Sequence, residues 1–186
     1  MGRVSQAQAQ ENRRRVVDTA SRLFREQGTQ VSVADLMKAA GLTHGAFYKQ
    51  FASKEALVDE ATAHAFTGLA RRYTEGLERY EGRSDAAQQV LIDTYLSVEH
   101  RDGPADGCPV AALASDIARD GGGREARRVY TEGVADFADF LATDDQDGIV
   151  RLCTLFGALV LSRATNGSPL SEEILAAARA ALTEAG

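Results

Sequence analysis

Thr43, His44, Gly45, Ala46, Tyr48 and Lys49 lie together in a short run whose side chains suit contact with a nucleic acid rather than catalysis. Phe47 and Phe51 are four residues apart, so on a helix they share one face and can anchor it to a core. Gly45, Ala46 and Lys49 then fall opposite, with Tyr48 beside them, and the outward face is thin, polar and basic. Thr43 stands as the N-cap, which puts His44 and Gly45 in the first turn, the part of an inserted helix that meets base edges in a major groove. Gly45 costs about 1 kcal/mol of helix propensity and removes bulk where the groove floor would be nearest. Plainer readings stand beside this one: Tyr48 covering a small core, His44 an ordinary exposed residue, Lys49 and Lys54 solvated charges.

A helix of two turns is marginal alone, so neighbouring elements must hold it. Upstream, Ser32-Val33-Ala34-Asp35 reads as a capping box opening a helix to about Ala40, with Val33, Leu36, Met37 and Ala40 at apolar spacing and Gly41 as the stop. A helix, a tight turn at Gly41-Leu42 and a second helix from Thr43 make a helix-turn-helix. Before it, Glu11 to Gln27 carries Val16, Val17, Ala20, Leu23 and Phe24 on one stripe, with Arg13, Arg14, Arg15, Arg22 and Arg25 mostly elsewhere. After it, Ser53-Lys54-Glu55 opens a helix to about Arg79 in which Leu57, Val58, Ala61, Ala65, Phe66, Leu69 and Tyr73 recur at threes and fours.

Residues 11–57 resemble the N-terminal DNA-binding domain of the TetR/AcrR family of bacterial regulators. The resemblance is carried by Leu23-Phe24 with Gly28, Val31-Ser32-Val33, Ala39-Ala40-Gly41-Leu42, Gly45 through Phe51 and Ser53-Lys54-Glu55-Ala56-Leu57. It implies an all-α homodimer of about nine helices per subunit, in which a divergent C-terminal domain binds an inducer and dimerises. The expected division of labour, which matches the family's use of these positions, has Thr43, His44, Gly45 and Ala46 at or near base edges and Tyr48 and Lys49 on phosphate. Ser32 and Lys54 add phosphate contacts from neighbouring helix N-termini. The resemblance also favours a bundle of the last two helices across a dimer axis.

Composition agrees with that class. With 3 Pro among 186 residues, long periodic segments and no alternating β-branched run, the natural fold class is all-α. The chain carries a formal net charge of −6, but its distribution is uneven: residues 1–55 hold nine Lys or Arg against five Asp or Glu, and residues 56–186 hold 12 against 22. The cation excess travels with the helix-turn-helix, which suits attraction of that end to phosphate. The chain is therefore divided into a DNA-binding domain, 1–55, and an effector-binding and dimerisation domain, 56–186. The N-terminus is polar and Gln-rich, and the longest apolar run, Leu155 to Leu161, is too short for a bilayer, so a cytoplasmic protein with no membrane partner is expected. Cys108 and Cys153 are expected to stay reduced.

His44, His64 and His100 form no metal pair, no glycine-rich loop follows a strand, and no nucleophile elbow appears, so no catalysis, metal or cofactor is expected. A nonspecific DNA-packaging protein would need a more uniformly basic chain. The partners expected are double-stranded operator DNA, a second copy of the chain, and a small-molecule effector whose identity the residues do not give. The effector pocket is sought among Phe66, Tyr73, Tyr95, His100, Cys108, Phe137, Phe140 and Phe156, most of which any core of this kind would contain.

The helices predicted beyond Arg83 run from Asp85 to Glu99, from Cys108-Pro109 to Gly121-Gly122-Gly123, from Arg124 to Leu141, from Gln146 to Ala164 and from Ser171 to Glu184, with a loop over 102–107. The dimer surface is expected at Ile149, Leu152, Phe156, Leu159, Val160, Ile174, Leu175, Ala178 and Leu182, although pattern alone equally allows an intramolecular seam. Cys108, at a predicted helix N-terminus, is weighed as an acidified thiol that senses oxidants or electrophiles against a small buried hydrophobe.

Overall fold

The computed structural model describes residues 6–119 and 123–183, which form nine α-helices and two 3-10 helices without a strand. Helix α1 spans Gln6–Gln27 and begins ahead of the expected Glu11, because exposed Gln and Ala residues prolong a helix without needing burial. Gly28 ends it at φ 82°, and its N–H returns to the Phe24 carbonyl at 3.0 Å. Helix α2 is Val33–Ala39; the Ser32 hydroxyl accepts the Asp35 N–H at 3.1 Å, the first half of a capping box, while the Asp35 carboxylate accepts the Ser32 hydroxyl at 2.6 Å in place of its backbone N–H.

Gly41 then takes φ 68°, with Leu42 N–H donating to the Met37 carbonyl at 2.8 Å and Gly41 N–H to that of Lys38 at 3.0 Å, a Schellman turn. The element that follows, His44–Lys49, is a 3-10 helix rather than an α-helix, and the Thr43 side chain makes no cap bond. Its tight pitch comes from i to i+3 bonds such as Ala46 N–H to Thr43 C=O at 2.9 Å. Helix α3, Lys54–Arg79, is capped by Ser53, whose hydroxyl accepts the Ala56 N–H at 3.1 Å.

Helix α4 is Ser84–Tyr95 and α5 is Val98–Asp102, so the single helix expected over 85–99 is interrupted. Buried Leu96 ends the first, and Ser97 starts the second by accepting the His100 N–H at 3.1 Å. Apolar periodicity runs through this break because Leu96 still points inward. A second 3-10 helix, Pro104–Asp106, occupies the expected loop. The remaining helices are α6 (Pro109–Ala118), α7 (Arg124–Leu141), α8 (Gly148–Ala164) and α9 (Pro169–Thr183). Gly121, Gly122 and Glu184, named as helix ends, lie outside the described residues. Ser171 is not the cap of the last helix: it is buried, donates to the Ser162 carbonyl at 2.7 Å, and accepts from the Arg101 guanidinium at 2.9 Å, tying α5, α8 and α9 together.

Two apolar cores result. The first gathers Val16, Ala20 and Phe24 of α1, Leu36 and Met37 of α2, Phe47 and Phe51, and Leu57, Val58 and Ala61 of α3; Leu113 and Ile117 of α6 and Ala126 of α7 close it. The second contains Phe66 and Leu69 of α3, Ile92 and Tyr95 of α4, Phe137 and Leu141 of α7, Leu152, Leu155 and Leu159 of α8, and Leu175 and Leu182 of α9. Helix α3 runs through both, and Tyr130 packs against both while donating its hydroxyl to the Val110 carbonyl at 2.8 Å.

This packing corrects the dimer surface expected from sequence. Leu152, Leu159, Leu175 and Leu182 are buried in the subunit's own core, and Phe156, Ile174 and Ala178 pack partly against it. Of the nine residues named, Ile149 and Val160 face outward. They join Val150, Cys153, Leu161 and Leu170, with Ile149 and Val150 each 64 % and Leu161 56 % exposed. Apolar residues surround α8 on more than one face, so periodicity alone does not choose the face that stays outside.

Candidate nucleic-acid interface and interior cavity

The 3-10 helix is anchored from below. Phe47 and Phe51 are buried and their rings stack at 5.4 Å between centroids. The Arg13 guanidinium lies over the Phe51 ring at 4.3 Å, donates to the Gln50 carbonyl and pairs with Glu60, so one side chain of α1 holds the exit of the 3-10 helix and the start of α3. In sequence Arg13 is one of three consecutive arginines and nothing distinguishes it.

On the outer side, Thr43, His44, Gly45, Tyr48 and Lys49 are exposed and Ala46 is half-buried. Tyr48 is 66 % exposed, its ring held edge-on by Phe47 at 5.2 Å and by His44 at 5.7 Å. A Cβ added to Gly45 would meet nothing within 4 Å, and its φ is not positive, so the fold itself does not demand glycine there. Ser32 is exposed, but its hydroxyl is occupied by Asp35. Lys54 is half-buried; burial pushes its pKa down, and nearby Asp116 opposes that shift.

A cavity of ≈ 330 Å³ lies between α3, α4, α7 and the Pro104–Asp106 turn. Of the eight candidate pocket residues, Tyr73, Tyr95, His100, Cys108 and Phe137 line it. Phe66, Phe140 and Phe156 do not: Phe66 packs edge-on to Tyr130 at 5.6 Å, Phe140 stacks behind Tyr73 at 4.9 Å, and Phe156 lies against the second core. Sequence reading missed Leu69, Arg72, Gly76, Arg79 and Asp106, all of which line the cavity. Arg72, Gly76 and Arg79 are not apolar members of the α3 stripe, Leu69 is one and reads as core, and Asp106 comes from the Pro104–Asp106 turn, so no single periodicity groups them.

Cys108 departs from the acidified thiol weighed above. It does stand at the N-terminus of α6, but it is 2 % exposed, and burial pushes its pKa up more than the nearby hydrogen-bond donors pull it down. The exposed thiol is Cys153, on the outer face of α8.

His100 is a structural clasp. Its Nδ1–H donates to the Tyr95 carbonyl at 2.7 Å and its Nε2 accepts the Cys108 N–H at 3.1 Å, so the neutral ring bridges α4 and α6 with both nitrogens engaged. Burial pushes its pKa below the ordinary imidazole value. A folded pKa depressed in this way means that the unfolded chain takes the proton first. The His100 contribution to stability is complete above the unfolded value of about 6.5 and is lost as pH falls from there through the folded pKa. Urea midpoints measured on either side of about pH 6.5 should show this fall, and it should flatten in His100→Gln. An unchanged pH profile in that variant would remove His100 as the titrating group.

Two contacts tie the Pro104–Asp106 turn, which lines the cavity, and helix α6, which does not, to the amino-terminal segment. Arg22 of α1 pairs with the Asp106 carboxylate at 2.5 Å, and the Asp116 carboxylate of α6 accepts the Thr29 N–H at 2.6 Å. Among the described residues no cluster of His, Cys, Asp or Glu could hold a metal, and no helix is long and apolar enough to cross a membrane.

Residues 16–61 match the family model for bacterial regulatory proteins of the tetR family. In the same part of the chain, the HTH-type transcriptional regulator AcrR of Shigella flexneri is 43 % identical over 61 residues, 32 % of this chain and 28 % of that protein. The HTH-type transcriptional repressor KstR2 of Mycobacterium tuberculosis is 29 % identical over 101 residues, 54 % of this chain and 50 % of that protein. The chain thus spans half or less of these curated relatives. Over nearly its whole length it shares a fold with the reduced form of E. coli NemR, at TM-score 0.75 and 21 % identity, covering 94 % of this chain and 96 % of that one. A TetR-family transcriptional regulator from Agrobacterium tumefaciens has TM-score 0.78 and 18 % identity, covering 95 % and 98 %. With the matched amino-terminal motif and the all-helical architecture in agreement, residues 16–61 are similar to the bacterial regulatory proteins of the tetR family, and the fold over nearly the whole chain is the one seen in TetR-family structures.

Proposed function

We propose that the protein is a sequence-specific, DNA-binding transcriptional repressor that acts as a homodimer and is released from a palindromic operator by a small molecule entering the interior cavity. The reading head is residues 1–55, and residues 56–186 supply effector binding and dimerisation. The observation that carries the reading is the exposed 3-10 helix. It offers Thr43, His44, Gly45, Tyr48 and Lys49 outward from a rigid aromatic base, and its glycine has a helix cost but no internal reason. Close approach to a groove floor supplies that reason. Acting on chromosomal DNA, such a protein works in the cytoplasm.

Operator selected from genomic fragments should bind in preference to bulk DNA. Gly45→Ala should leave stability unchanged or raised by up to about 1 kcal/mol, while weakening operator binding. Lys49→Ala should weaken binding to all sequences alike and reduce the salt slope by about 0.9 per lost phosphate contact, hence about twice that for a two-headed dimer. Undiminished affinity in both variants would remove this face as the DNA contact. Uniform affinity for all fragments would remove the regulatory reading.

The dimer is proposed to form through the outer faces of α8 and α9, where Ile149, Val150, Cys153, Val160, Leu161 and Leu170 are exposed along two adjacent helices. An isologous pairing there would set two reading helices about 34 Å apart, one duplex turn. Sedimentation should show a dimer at micromolar protein, and Val150→Asp with Leu161→Asp should give a folded monomer with operator affinity reduced by well over tenfold. A wild-type monomer, or a dimer undisturbed by both charges, would overturn this surface.

A further inference from the structure

We infer that the cavity takes a small, flat, mainly apolar molecule carrying one carboxylate. This rests on the proposed role of the cavity as the effector site and adds the chemistry of its occupant. At ≈ 330 Å³ the space lies at the small end of ligand sites, which run from roughly 300 to 1,000 Å³. Its walls are apolar and aromatic, with Leu69, Tyr73, Leu91, Tyr95 and Phe137 among them.

The deep wall holds one unanswered polar group. Tyr95 is 5 % exposed, and its hydroxyl has no nitrogen or oxygen partner among the described residues; it is left with the Cys108 thiol, a weak donor and acceptor. His100 cannot answer it, because both ring nitrogens are engaged. A ligand with a polar atom at its inner end would satisfy that hydroxyl, which is otherwise costly to leave unpaired.

The mouth is unbalanced in charge. Its two acids are each held by an arginine that does not line the cavity: Asp106 by Arg22 at 2.5 Å and Glu75 by Arg71 at 3.5 Å. Its two cations have no carboxylate partner among the described residues. Arg72 donates to the Asp106 carbonyl at 3.3 Å, and among the described residues Arg79 makes no ion pair. The two lie seven residues apart on one side of α3, with Gly76 between them. A side chain at Gly76 would begin 3.9 Å from Ala87, inside the opening that the glycine leaves clear. Burial first, then the nearby Arg72 and Arg22 guanidinium groups, push the Arg25 pKa down against the opposing pull of Asp106 and Asp18. An incoming carboxylate between Arg72 and Arg79 would relieve this excess. It would also compete for Arg72 at the corner where Asp106 grips α1.

Three probes of one size separate the charge from the shape: 2-naphthoate, the neutral 2-acetylnaphthalene and the cationic 2-naphthylmethylammonium. The chain has 0 Trp, so probe fluorescence can be followed directly on the full-length protein. The naphthoate should bind about tenfold or more tightly than either analogue, and that advantage should vanish in Arg72→Gln with Arg79→Gln while the ketone's affinity stays unchanged. Gly76→Phe, checked for a native helical spectrum, should abolish binding of both. The inference is overturned if the ketone or the ammonium binds as well as the acid, or if the double variant keeps the preference; in those cases the cavity still stands as a binding site. If no probe binds the wild-type protein at millimolar concentration, or if Gly76→Phe retains binding, the effector role of the cavity falls and the inference with it.

Discussion

Phe47→Ala is expected to destabilise the amino-terminal core by about 3–5 kcal/mol, the range for removing a buried phenyl ring. Phe47 is 1 % exposed and stacks on Phe51, while Tyr48 leans on its edge. A six-residue 3-10 helix has little stability of its own, so its outward residues are positioned by this one anchor. The variant should therefore lose operator binding even at temperatures where the second core remains folded, and its melting should separate into two steps. Tyr48→Ala is the comparison: it removes a neighbouring ring that is mostly in solvent, and its stability should stay within about 0.5 kcal/mol of wild type. Chemical denaturation followed by circular dichroism, beside binding measured on the same preparations, checks both. A Phe47→Ala protein as stable as Tyr48→Ala would show that the anchor is elsewhere.

The second large effect is expected at Gly148→Ala. A Cβ at Gly148 would stand 1.9 Å from the Ala138 carbonyl oxygen and 2.9 Å from the Ala142 nitrogen, both backbone atoms at the end of α7. No rotamer change relieves a collision with backbone, so α7 and α8 must part. Overpacking typically costs about 1–3 kcal/mol and occasionally more, and this case belongs at or above the upper end. Gly68→Ala, at a helical position where the new methyl meets nothing within 4 Å, should instead stabilise by roughly 0.5–1 kcal/mol. Thermal midpoints of the pair should thus move in opposite directions. Parallel shifts would mean that the close approach of the two helices is not required for stability.

The amino-terminal motif was readable because its signals are local. Ser32 with Asp35, Gly41 with Leu42, and Ser53 with Ala56 each define a helix end within a few residues, and all three formed the expected bonds. The 3-10 pitch of His44–Lys49 was not readable, since the Phe47–Phe51 spacing reads as an α-helical face while Phe51 lies beyond the end of the 3-10 element. The break at Leu96-Ser97 was concealed because its hydrophobic residue is buried like those before it. Beyond α3 the pattern named apolar residues without saying which neighbour they face. That is why Leu152, Leu159, Leu175 and Leu182 were assigned to a partner subunit and found in their own core. Long-range pairs such as Arg22 with Asp106, Asp116 with Thr29 and Arg13 with Glu60 leave no trace in spacing, because each joins elements far apart in the chain.

Leu113, Ile117 and Ala126, which complete the first core, come from beyond the helix-turn-helix segment. A fragment cut after residue 55 would keep the turn signals at Ser32 and Gly41 yet lose Leu57, Val58 and Ala61 of α3 as well as the lid on its oily side. Such an excised head is expected to be a poor autonomous folder, prone to clumping. The same arrangement makes maturation order matter: during synthesis the reading end waits for α6 and α7 to emerge before it can close.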